Sequence, residues 1–166
     1  MDIQRQPKRG LLHILCACIF IMISMLSLYF TSTEPILWIV GGGCIASSIT
    51  IIFISPTTES SSPRNISISY TIALVSCLMV RLTTELLGIQ VGSQEPTIIV
   101  LVIIALFITL YIFSTYNINH PPAAGLTLVL VAHDTSYYKF IAIIILGGLL
   151  SIISHFINKK IKLDPH

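Results

Sequence analysis

The sequence predicts an all-α fold, a polytopic membrane helix bundle of about six crossings in which one helix is short and discontinuous. The chain of 166 residues is 54% hydrophobic and only 10% charged, whereas soluble domains carry about 25% charged residues. Its apolar residues gather into five long runs, 11–30, 36–54, 66–88, 97–116 and 140–157. Each is near the length of about 20 residues that a bilayer core requires. A sixth, shorter run, 123–132, follows Asn119-His120-Pro121-Pro122. Two successive prolines remove two backbone donors and clash with the preceding turn, so no single helix runs through them.

Taken in order, residues 1–10 are polar and carry Arg5, Lys8 and Arg9. The first span, 11–30, leads through a polar turn at 31–35 to the second span. There Gly41-Gly42-Gly43 with Cys44, Ala46, Ser47 and Ser48 makes a small-residue face suited to close helix contact. A first interruption, residues 55–65, is rich in serine and proline. The third span ends near Gly88, and Pro96-Thr97 opens the fourth. After the Pro-Pro break come the short piece 123–132, a polar stretch at 133–139 and the last span. Residues 158–166 form a basic tail with Lys159, Lys160 and Lys162. The expected organisation is an N-terminal segment 1–10, one transmembrane bundle 11–157 and the tail 158–166. No cleavable signal, transit peptide or lipid anchor is expected.

Basic residues at both ends place both termini in the cytoplasm, and the membrane expected is a prokaryotic inner (plasma) membrane. Termini on one side require an even number of crossings, so the short piece must supply the sixth. At about 1.5 Å per residue it reaches only about 16 Å of a core about 30 Å thick. The break should therefore dip towards mid-depth, as discontinuous helices do in many transporters.

The net charge of +2 and the location of the bases at the chain ends argue against a nucleic-acid partner. The four cysteines, Cys16, Cys18, Cys44 and Cys77, all lie inside apolar runs, where cysteine behaves as a small hydrophobe. There is no Ser/His/Asp set, no His-Glu-x-x-His and no facing carboxylate pair, so no catalytic residue and no cofactor is expected. Metal transport through His120 and the cysteines lacks a recognisable ligand spacing.

The two interruptions follow one logic. Each carries proline just before a new helix, and proline fits the first helical position because its missing donor costs nothing there. Two helix N-termini result, after Pro63 and after Pro122, both expected in the cytoplasmic half. A helix start offers free N–H groups and about half a positive charge. Arg64 adds a full charge, Ser60, Ser61 and Ser62 add hydroxyls, and His120 can donate or carry charge in the physiological range. Converging donors of this kind suit a small monovalent anion. The candidate binding residues are Ser62, Pro63, Arg64, Asn65, His120, Pro121, Pro122 and Ala123. Arg81 and Glu85, four apart on one helix face, form either a structural ion pair or a gate on the anion path. A non-transporting module, such as a sensor or partner anchor, is the alternative. It predicts a closed bundle with both breaks packed. Partners are the lipid bilayer and a small inorganic anion, and the glycine-rich helices are compatible with a homo-oligomer.

His120-Pro121-Pro122-Ala123-Ala124-Gly125 resembles the His-Pro-Pro-Ala-Gly-Ala signature of the HPP family of integral membrane proteins. Ser55-Pro56 and Pro63-Arg64-Asn65 resemble that family's Ser-Pro…Gln-Pro-Arg-Asn segment, and Leu146-Gly147-Gly148 through Asn158 is similar to its last helix. The resemblance extends over residues 42–158. Here the Ser-Pro to Pro-Arg-Asn spacing is longer, Ser62 replaces Gln, and Ala124-Gly125 inverts the usual order. The resemblance implies a small-anion transporter, with nitrite the leading substrate.

Overall fold

In the computed structural model, which describes residues 11–31, 35–88, 96–132 and 137–163, six α-helices follow one another in the order that the apolar runs predict. They are α1 (Leu11–Thr31), α2 (Pro35–Ile54), α3 (Pro63–Leu86), α4 (Pro96–Thr115), α5 (Pro121–Ala132) and α6 (Tyr137–Leu163). A single 3-10 turn, Glu59–Ser61, sits between α2 and α3. Among the described residues there is no strand. The turns expected at 31–35, 89–95 and 133–139, the first ten residues and the end of the tail lie wholly or partly outside the described residues.

Prolines open α3, α4 and α5, where the fixed φ and missing donor suit a first helical residue. The third helix therefore starts three residues before the apolar run that marks it. The last helix starts at Tyr137 and continues through Asn158 to Leu163. Residues 158–163 of the expected tail thus continue the last helix. The fifth helix has 12 residues, about 18 Å of rise, and does not bridge a bilayer core alone.

The fifth helix packs against α2, α3 and α4, and α3 packs against α4, α5 and α6. These two helices form the middle of the bundle. Eight of the twelve residues of α5 are buried. In contrast, α1 and α4 expose Ile14, Met22, Ile103 and Phe107, as a surface facing lipid does. Gly41 and Gly42 are buried, and a Cβ on Gly41 would meet Val129 of α5 at 4.0 Å. The small-residue face of α2 thus packs on the short helix. Closer still, a Cβ on Gly125 of α5 would stand 3.0 Å from Cys44 Sγ of α2. On α6, a Cβ on Gly147 would stand 3.0 Å from Tyr70 Cβ and 3.1 Å from its Cγ. These glycines let backbones approach where a larger residue would hold them apart.

Candidate functional site where the two helix breaks meet

The fourth helix ends in a way that turns His120 inwards. Asn117 takes a left-handed φ of 50°, a conformation asparagine tolerates. The Ile118 N–H then reaches back to the Phe113 carbonyl at 2.8 Å, and both side chains are buried. This is the hydrogen bond and hydrophobic contact of a Schellman closure. Asn119 is exposed, His120 has no exposed surface, and Pro121 begins α5.

Both ring nitrogens of His120 have partners. Nδ1 lies 2.8 Å from the Ser60 carbonyl oxygen. A carbonyl only accepts, so Nδ1 carries the hydrogen and donates. Nε2 lies 2.9 Å from Ser48 Oγ of α2. In the neutral ring Nε2 must accept, and the Ser48 hydroxyl donates to it. Tyr70 Oη of α3 lies 2.9 Å from the same Ser48 oxygen and donates to it in this arrangement. Its ring sits 5.8 Å from the imidazole, centroid to centroid. Ser48, Tyr70 and His120 are all buried. The result is one directed chain of donors, Tyr70 to Ser48 to His120 to the Ser60 carbonyl, joining α2, α3, the second break and the first.

The first break is held by its carbonyls. The Glu59 carbonyl accepts from Asn65 Nδ2 at 3.0 Å, and the Ser60 carbonyl accepts from His120. The Ser61 carbonyl accepts from Ser154 Oγ of α6. One turn further, the Pro63 carbonyl accepts from Ser151 Oγ at 2.9 Å. Backbone acceptors buried inside a bundle must find such partners within the protein. The Ser61 hydroxyl donates within the loop, to the Pro56 and Thr58 carbonyls.

The two breaks meet at the bond between His120 and the Ser60 carbonyl, but the backbone donors of the two helix starts are largely committed. At α3, Pro63 has none, the Asn65 N–H donates to Ser62 Oγ at 3.2 Å, and the Ile66 N–H donates to the Ser62 carbonyl. At α5, Pro121 and Pro122 have none, and the Ala123 N–H donates to the His120 carbonyl at 3.2 Å. The inner lining of the first break is made of carbonyls, not N–H groups. Of the candidate binding residues, His120, Pro122, Ala123 and Asn65 are buried, Ser62 and Pro63 are half-buried, and Pro121 and Arg64 are exposed. Arg64 is thus exposed at the start of α3, whereas His120 has no exposed surface.

A family model described as "HPP, transmembrane region" matches residues 4–164. The chain belongs to the HPP family of membrane proteins. No curated protein and no solved structure matches it. The match reaches beyond residues 42–158, over which the motifs alone suggested the resemblance. In this HPP protein the signature histidine is the residue that ties the two breaks to one another.

Arg81 and Glu85 are paired as their spacing predicts, with Arg81 Nε 3.2 Å from Glu85 Oε1. The Arg81 side chain is 17% exposed and that of Glu85 48%. Exposed pairs of this spacing contribute about 0.3–0.5 kcal/mol. Arg81 also borders a cavity of about 10 Å³ between α3, α4 and α5, together with Cys77, Thr84 and Leu130. That is room for about one water. Sequence reasoning missed Ser48, Tyr70, Ser151 and Ser154, each of which holds part of the site. Their signal was present: a polar side chain within an apolar span usually faces the bundle interior.

Proposed function

We propose that this HPP protein is a membrane transporter or channel for a small monovalent anion, with nitrite the first substrate to test. One observation supports a pathway most directly. Two helix breaks, 60 residues apart in sequence at Ser60 and His120, meet inside the bundle on a single buried imidazole. Irregular backbone at membrane depth is tolerated where protein or a water-filled cavity surrounds it, and transporters place substrate sites at such breaks. In this reading an anion would compete for donors now held by carbonyls: the His120 ring N–H and the Ser151 and Ser154 hydroxyls. Arg64, exposed at the start of α3, would draw anions towards the cytoplasmic mouth. Arg81 with Glu85 would gate the outer end. No nucleotide-binding motif is present among the residues, so a gradient would drive the flux.

The closure of the cluster favours a second reading, a non-transporting module in which the breaks are structural. The two separate in proteoliposomes holding the purified protein and given a nitrite gradient. Transport predicts flux above protein-free vesicles, with a strong fall in both His120→Ala and Arg64→Gln. Unchanged flux in both variants removes the site assignment. Absent flux for the unmodified protein favours the module.

A further inference from the structure

The acceptors around His120 suit a proton better than they suit an anion, and this deepens the transport reading on which it rests. The ring's partners are Ser48 of α2, the Tyr70 ring of α3 and the Ser60 carbonyl. Among the described residues, no carboxylate, Lys or Arg bonds to it, and Glu59 and Arg64 are exposed. Nδ1 keeps its hydrogen in either ring form because its partner is a carbonyl. Proton exchange is thus confined to Nε2.

Ser48 is placed to serve both forms. With the ring neutral, the Ser48 O–H donates to Nε2. With the ring charged, the Nε2–H donates to Ser48 Oγ, and the Ser48 O–H needs another acceptor. The Cys44 carbonyl lies 3.2 Å from Ser48 Oγ, so a rotation of one hydroxyl supplies it. Tyr70 Oη can donate to Ser48 in both cases. Neither form leaves a donor or acceptor orphaned, so the cost of charging the buried ring is the desolvation of the charge itself. What the charged form lacks is a counter-ion, because no anionic side chain touches the ring among the described residues.

We propose that His120 binds a transported proton at Nε2, that the anion binds as counter-ion to the resulting imidazolium, and that Ser48 is the hydroxyl that switches between the two ring forms. A hydronium ion gives up its proton, the new Nε2–H bond forms, and water is left behind. The ring gains one positive charge and the anion brings one negative charge. Their joint passage is electroneutral, and release on the far side returns the ring to its neutral form.

The test uses the full chain in nanodiscs with ¹⁵N-labelled histidine. The His120 signals are identified by their loss in His120→Gln. At high pH the ring should show the Nδ1–H tautomer. Sodium nitrite, compared with equal sodium chloride, should raise the pH midpoint at Nε2 by about one unit, a tenfold linkage typical of coupled sites. Ser48→Ala should abolish that shift. An identical midpoint in the two salts, or an Nε2–H tautomer at high pH, overturns the proposal. In vesicles loaded with a pH-sensitive dye, nitrite uptake without protein-dependent proton uptake also overturns it, and leaves nitrite transport standing. A nitrite-linked midpoint shift without any flux upholds joint binding and removes transport instead.

Discussion

Two buried serines on apolar helices show how much one hydroxyl's surroundings decide. Ser48 Oγ is shared by Tyr70 and His120, whereas Ser76 Oγ is buried with no partner among the described residues. Replacing Ser48 with alanine leaves an imidazole nitrogen and a phenol hydroxyl without partners. The expected loss is about 1–3 kcal/mol of stability. Ser76→Ala removes a hydroxyl that bonds to nothing, so it should be neutral or stabilising by up to about 1 kcal/mol. Thermal unfolding in detergent distinguishes them, and a larger loss in Ser76→Ala would contradict the assigned partners. The same measurement separates His120 from Arg64. His120→Ala should lose about 1–3 kcal/mol because the Ser60 carbonyl and Ser48 are both abandoned. Arg64→Gln, at an exposed position, should stay within about 0.5 kcal/mol of the parent protein.

At the scale of elements, the glycines of α6 do different things although they are neighbours. Gly147 faces Tyr70, with van der Waals space already filled, while a Cβ on Gly148 meets nothing within 4 Å. Gly147→Ala should push α6 off α3 and disturb the Tyr70 hydroxyl, at about 1–3 kcal/mol for overpacking. Gly148→Ala should gain up to about 1 kcal/mol from helix propensity. Equal effects in a denaturation series would show that α6 does not rest on Tyr70. The breaks are also elements in their own right. The first is fixed from outside itself, through Ser151 and Ser154 of α6 and His120 at the start of α5. Its conformation is held by helices remote in sequence as well as by its own local hydrogen bonds.

For the whole molecule, the short α5 is surrounded by α2, α3 and α4, and it starts where the first break is pinned. Six helices put the two chain ends on one side of the membrane if each helix, including α5 with its break, counts as one crossing. We expect reporter fusions at both ends to agree: fluorescent protein active and periplasmic phosphatase inactive at each. Opposite responses at the two ends would mean that α5 and its break re-enter on the side they left, and the count would become five.

Composition and apolar run lengths were enough to determine the class of fold and the number and order of helices, because a bilayer core imposes length and apolarity on any chain that spans it. The Pro-Pro break was legible for the same reason, since it violates a rule that neighbouring residues obey. The partners of His120 were not. In lipid the outward face of a helix is as apolar as the packed face, so no periodicity in α2 or α3 singled out Ser48 or Tyr70. The placement of Arg64 outside and His120 inside was equally hidden, because it depends on how α3 and α5 rotate as they pack. Tertiary structure alone decided that the carbonyls of the first break take their donors from His120, Ser151 and Ser154, since buried carbonyls must find partners wherever the folded chain supplies them.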